Sequence, residues 1–318
     1  MDHTFNLRSP SLANSTLTGW VLIFCGLLFF SVLAVLLLGL PDELGINIPS
    51  LDVESDYIWA STFSIAVLVG LFWLPLLSEE RLALMIGWLA KSFVSLVAML
   101  WYESYYYFLD AYSYFYNAQD YPFSQDTVVF GDGTELVTMI CAVLLKVLPG
   151  GYHVVKEVFS LIGLAGIYCF YRSLVAITGK QKISWLIGLC LFPSICFWSS
   201  VIGKEPLALL GIGIFFLGGA KFYKRPEIGA LLLVLIGIFI TGGIRLWLVM
   251  IMLPCVLVLL FASNIATLWR AWAFILALLL GAVSVNMVTD RFEFASRQEA
   301  FERLDQSASG WAGDGGSG

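Results

Sequence analysis

Apolar runs separated by short polar breaks recur along almost the whole chain. About nine of them, near 19–40, 58–77, 82–101, 153–176, 184–202, 206–222, 227–243, 246–262 and 270–288, approach or reach the length of a membrane-spanning helix. None shows the short alternating pattern of a spanning strand. The pattern therefore predicts an all-α polytopic membrane protein with about nine transmembrane helices, not a β-barrel. The longest interval between runs, 102–152, is more than a loop. Within it "ELVTMICAVLLKVL" (135–148) is apolar but too short to span, and reads as an interfacial or re-entrant helix. "PGGY" at 149–152 then turns the chain into the next run.

Composition agrees. The 318 residues are 59% hydrophobic and 13% charged, against roughly 25% charged in an ordinary soluble domain. The first run, Gly19 to Leu40, is longer than a signal-peptide core and lacks an A-x-A exit, so it reads as a span. The Asn14-Ser15-Thr16 sequon just before it reads as a cap for that helix.

Charge placement orients the spans. Arg172, Lys180 and Lys182 share one break, Lys221, Lys224 and Arg225 another, and Arg270 lies in a third. All fall on one side if the N-terminus is cytoplasmic. The opposite side is acidic. The break 41–57 carries Asp42, Glu43, Asp52, Glu54 and Asp56, and 102–135 carries Glu103, Asp110, Asp120, Asp126, Asp132 and Glu135, with no Lys or Arg in either. On this map the tail after 288 is extracytoplasmic.

Candidate chemistry gathers on that acidic side. Residues 102–121, "YESYYYFLDAYSYFYNAQDY", hold eight tyrosines around Asp110. As a helix over 104–118, Tyr106, Tyr107, Asp110, Tyr114 and Asn117 share a face. Such a carboxylate acts as a general base or helps hold a divalent cation. The bland alternative is an aromatic belt with one solvated acid. Lys204 and Glu205 sit at the tight turn of "FPSICFWSSVIGKEPLAL", either as a local ion pair or as part of a site. A lysine there suits phosphate, and Pro206 suits the start of a helix whose amides also favour anions. Arg245 interrupts "TGGIRLWLV" and is a candidate partner for an anionic headgroup or for Asp110. Lys91, inside a span, is expected to snorkel or to pair with an acid from another helix, a structural role. Arg291, Arg297 and Arg303 alternate with acids and read as a charged, solvent-facing helix.

Other classes are excluded by absence. The six cysteines lie in apolar stretches and read as small buried hydrophobes; His3 and His153 make no ligand set. There is no phosphate-binding P-loop, dinucleotide fingerprint, zinc-protease helix or serine-hydrolase elbow, and no basic, aromatic-interleaved patch for nucleic acid.

Residues 101–210 resemble the GT-C superfamily of integral-membrane glycosyltransferases, above all the bacterial branch of protein mannosyltransferases and lipid A sugar transferases. The resemblance is carried by "LDAYSYFYNA", "ELVTMICAVLLKVLPG", "VVKEVFSLIGLAGIYCFYRSL" and "FPSICFWSSVIGKEPLALL". It implies two added N-terminal helices in 1–81, a seven-span module in 82–290 with its extracytoplasmic loop at 102–152, and a tail at 291–318. The closing "GDGGSG" reads as a loop, as in a short member or a truncated chain. The family often pairs acids in this loop, whereas Asp110 stands alone and Glu103 is seven residues away. A divalent cation, Mg or Mn, is the cofactor the resemblance allows, and its ligands are unknown.

The implied reaction moves a sugar from a polyprenyl-phosphate-linked donor to a glycan, lipid or protein acceptor at the extracytoplasmic face of a bacterial inner membrane. Asp110 is then the base. Lys204 and Arg245, with Glu205 beside them, face the leaving phosphate. Tyr106, Tyr107, Tyr112, Tyr114 and Tyr116, with Asn117, form a sugar-facing wall. Two rivals stay open: a transporter or flippase of a lipid-linked or small polar substrate, and a polysaccharide polymerase or ligase using polyprenyl-diphosphate glycans.

Overall fold

The computed structural model describes residues 12–37, 47–50, 52–123 and 130–262, with 274–275, 278–279 and 281–282 beyond them. Among these residues all regular structure is helical. The run expected at 270–288 falls mostly outside the described residues, and the charged helix expected over 291–305 falls wholly outside them. The chain divides into two units, Met1–Arg245 and Leu246–Gly318. The first contains α1 (Leu12–Leu37), α2 (Val53–Trp73), α3 (Ser78–Tyr105), α4 (Asp110–Gln119), α5 (Gly133–Val147), α6 (Tyr152–Thr178), α7 (Ile183–Leu191), α8 (Pro193–Trp198), α9 (Lys204–Lys224) and α10 (Ile228–Ile244). In the second, α11 (Leu246–Ala262) runs through an internal proline, Pro254.

Helices α2, α3, α6 and α9 are long and apolar enough to cross a membrane. Shorter apolar helical stretches occupy 17–32, 228–244 and 246–259. The core is apolar, and apolar side chains also cover outward faces. On α10 the exposed face is Ile228, Leu232, Ile236 and Phe239, whereas the buried face includes Gly237 and Thr241. Small residues bring the backbones together. A methyl group on Gly213 of α9 would stand 2.6 Å from the Gly166 carbonyl oxygen of α6.

Two sequence expectations change. The run 184–202 does not form one helix. It breaks before Pro193, whose missing N–H and ring end α7 and restart the chain as the short α8. Nor is 104–118 a continuous helix. Helix α3, which contains a π-helical turn at Val94–Ala98, ends at Tyr105. Tyr106 and Leu109 are extended, and α4 begins at Asp110. The face that would have aligned Tyr106 and Tyr107 with Asp110 therefore does not exist. The short apolar helix expected at 135–148 is present as α5, capped by Asp132, which accepts from the amides of Thr134 and Glu135 at 3.1 and 3.2 Å.

Candidate functional site

Asp110 is the first residue of α4, where a carboxylate complements the positive end of the helix. Its side chain is exposed and makes no hydrogen bond or ion pair among the described residues. It opens on a cavity of about 430 Å³ lined also by Tyr102, Phe108, Tyr114, Trp198, Lys204, Glu205 and Arg245. Residues from four separated stretches thus converge. The 106–109 break swings α4 out of line with α3. The turn after α8 brings Lys204 and Glu205 to the start of α9, and Arg245 ends α10.

Within the cavity the charges are partly paired. Arg245 donates through Nη2 to Glu205 Oε1, both side chains remaining about one-third exposed. Arg245 therefore pairs with Glu205 and not with Asp110. Lys204 Nζ donates to Thr134 Oγ1 at 2.9 Å, tying the turn to the first residues of α5. Tyr114 is buried against the same threonine. Burial, together with the nearby carboxylates of Asp110 and Glu205, pushes its phenol up to about 12, outweighing the Thr134 hydrogen bond and the Arg245 charge.

The other tyrosines divide. Tyr112 faces the core, donating to the Glu103 carbonyl at 3.0 Å, and its phenol is raised by burial and by the Glu103 charge. It packs edge-on against Tyr152 and does not line the cavity. Tyr106, Tyr107, Tyr116 and Asn117 are exposed and also outside its lining. The aromatic wall is instead Tyr102, Phe108, Tyr114 and Trp198.

Comparison with protein-family models, curated proteins and solved structures finds no match to this chain.

A second cavity, of about 550 Å³, is lined by Ala90, Phe93, Val94, Leu191, Pro193, Cys196 and Phe197. It lies where the π-helical turn of α3 meets the break between α7 and α8. Phe197 lines this cavity and the next residue, Trp198, lines the first. Phe197 also packs edge-on against Tyr102.

Apart from the cavity lining lies a set of buried ionic groups, of which the sequence singled out Lys91 alone. Glu103, at the end of α3 and expected in a solvated acidic loop, is fully buried. Lys156 Nζ donates to both its carboxylate oxygens at 2.9 Å, and the Tyr152 hydroxyl donates to Oε1 at 2.8 Å. Asp56 of α2 accepts from the Gly151 and His153 amides at 2.7 and 2.9 Å, capping α6 where Gly151 has no side chain to do so. His153 Nδ1 meets the same carboxylate at 2.8 Å. Lys91 neither snorkels nor forms an ion pair; its ammonium donates to Ser199 O, Ser199 Oγ and Ser200 Oγ at 2.7, 2.7 and 3.0 Å. These residues fix the ends of α2, α3 and α6 and the turn leading to Lys204. The available signal was a set of charged residues inside otherwise apolar runs, such as Lys156 and Glu157 in "VVKEVF".

Proposed function

We propose that this chain is a membrane glycosyltransferase of GT-C type that transfers a sugar from a polyprenyl-phosphate donor to a glycan, lipid or protein acceptor. One observation carries the reading: an unpaired carboxylate, Asp110, shares a cavity with Lys204 and Arg245 and with an aromatic wall. Asp110 takes the proton of the acceptor hydroxyl as it attacks the anomeric carbon. Lys204 and Arg245 offset the charge growing on the departing phosphate, with Glu205 holding the guanidinium in place. Tyr114 and Trp198 offer ring faces to the sugar. The apolar cavity lined by Phe93, Val94 and Phe197 suits isoprene units of the donor. In this reading α7 and α8 together cross as one discontinuous span among about nine, the N-terminus is cytoplasmic, and the Asp110 cavity opens on the extracytoplasmic side. Among the described residues no group of three or more His, Cys, Asp or Glu converges to hold a metal ion. Asp110 and Glu205 are the two acids lining the cavity, and Glu205 is engaged by Arg245. The balance of leaving-group charge is accordingly assigned to the two cations.

The transporter reading draws on a different observation, the ionisable groups buried inside the helix packing. The experiment that separates the two supplies a labelled polyprenyl-phosphate sugar to the protein in proteoliposomes. Covalent transfer to acceptor supports the enzyme, and transfer that survives chelation supports the cation-only site. Movement of label across the bilayer without glycosidic product supports the transporter.

A further inference from the structure

Glu157 of α6 is fully buried, and its two carboxylate oxygens are treated unequally. Oε2 accepts hydrogen bonds from Ser64 of α2 and from Ser92 of α3, the latter at 2.8 Å. Oε1 has no partner. Neither do the hydroxyls of Ser61 on α2, Ser95 on α3 and Ser160 on α6, nor Nε2 of His153. Ser95 stands in the π-helical turn of α3, three residues after the Ser92 that bonds Glu157. Ser160 follows Glu157 by three residues, and Ser61 and Ser95 each stand three residues from a serine that bonds it, so all belong to the helix faces that meet at this carboxylate. Buried polar atoms are rarely left unpaired, and here five of them occur on three neighbouring helices.

The charge count points the same way. Among the described residues, apart from Glu80, which pairs with Arg172, the buried carboxylates are Asp56, Glu103 and Glu157 and the buried ammonium groups are Lys91 and Lys156, three against two. A neutral His153, its Nδ1–H donated to Asp56, avoids an imidazolium N–H left unpaired at Nε2. One positive charge is then missing from a region where an unbalanced charge is costly. A water molecule would satisfy the lone pairs but not the charge.

We propose that Glu157 Oε1, with the Ser95 and Ser160 hydroxyls, holds a monovalent cation such as sodium between α2, α3 and α6. Hard oxygen ligands with a single carboxylate suit a monovalent ion rather than a divalent one. A separate cavity of about 450 Å³ is lined by Asp52 and Asp56 with no basic side chain, and the His153 bound to Asp56 lies one turn before Glu157 in α6. The proposal stands apart from the glycosyltransferase reading, because a cation here joins α3 to α6 whatever the Asp110 cavity does.

The test uses the purified full chain in detergent at constant ionic strength, with choline chloride replaced stepwise by sodium chloride. The expected result is a saturable rise in melting temperature of a few degrees, with matching saturable binding of radioactive sodium, both lost in Glu157→Gln. Potassium acting like sodium supports a site that reads charge more than size. If Glu157→Gln does not fold, Ser95→Ala and Ser160→Ala decide, each expected to raise the half-saturating sodium concentration roughly tenfold. Melting and binding indifferent to sodium in the wild type overturn the proposal and leave Glu157 protonated. So does a half-saturation point unmoved in both serine variants.

Discussion

The Glu103–Lys156 pair offers the sharpest test of how the site is held. Both side chains are fully buried, with two N–O contacts of 2.9 Å. At an effective dielectric near 20 the attraction across such a contact is about 6 kcal/mol, before the cost of desolvating both ions is set against it. Replacing Lys156 by Met leaves Glu103 buried with the Tyr152 hydroxyl as its one remaining side-chain donor among the described residues. The expected loss is about 3–5 kcal/mol, the range for stranding one partner of a buried pair. The double variant Glu103→Gln, Lys156→Met removes the stranded charge and should recover about half of that loss or more. Unfolding in mixed micelles with increasing SDS measures all three variants. A Lys156→Met loss below about 1 kcal/mol, or a double variant no more stable than the single, would refute the buried-pair account. The pair matters for function because Tyr112 of α4 donates to the Glu103 carbonyl. Disturbing it moves the helix that begins with Asp110.

Other outcomes follow from the same geometry. Arg245→Ala breaks a pair that is about one-third exposed, so its stability cost should stay within about 1 kcal/mol, while glycosyl transfer falls roughly 100-fold or more; equal transfer by the variant would remove Arg245 from the site. Gly213→Val sets a side chain against the Gly166 carbonyl and should destabilise the α6–α9 contact by about 1–3 kcal/mol or more, read as a lowered melting temperature in detergent. Because burial raises the Tyr114 phenol to about 12, the folded state holds that proton more tightly than the unfolded chain. The resulting stability is fully present below pH ~10 and is lost as pH rises from there toward 12. Ultraviolet titration should show a late tyrosine step that moves to ordinary values on unfolding, and a titration complete by pH ~10.5 in the folded protein would contradict the burial of Tyr114.

The long helices were legible because apolar runs of spanning length have few other stable solutions. Pro193 was visible too, but its consequence depended on whether the flanking run could continue past it, and in the structure it does not. The break at 106–109 carries no Gly or Pro. It is set by what the side chains on either side reach, with Glu103 drawn inward to Lys156 and Tyr112 anchored behind it. That shift decides the site: Asp110, Tyr114, Lys204, Glu205 and Arg245 come together, whereas Tyr106, Tyr107, Tyr116 and Asn117 do not. The inner ionic groups were legible only as misfits. Lys156 and Glu157 are adjacent in the chain yet serve different partners, Glu103 on one side and Ser64 and Ser92 on the other. No spacing rule pairs residues 53 positions apart.

The central claim is that Asp110 activates an acceptor for sugar transfer from a lipid-linked donor. Transfer of labelled sugar from a polyprenyl-phosphate donor in proteoliposomes, compared between wild type and Asp110→Asn, tests it most directly. Wild-type protein should form glycosidic product, and the variant, folded and with unchanged melting temperature, should lose roughly 100- to 10,000-fold in rate. Product formed equally fast by the variant, or none formed by the wild type across donors of differing sugar, would contradict it.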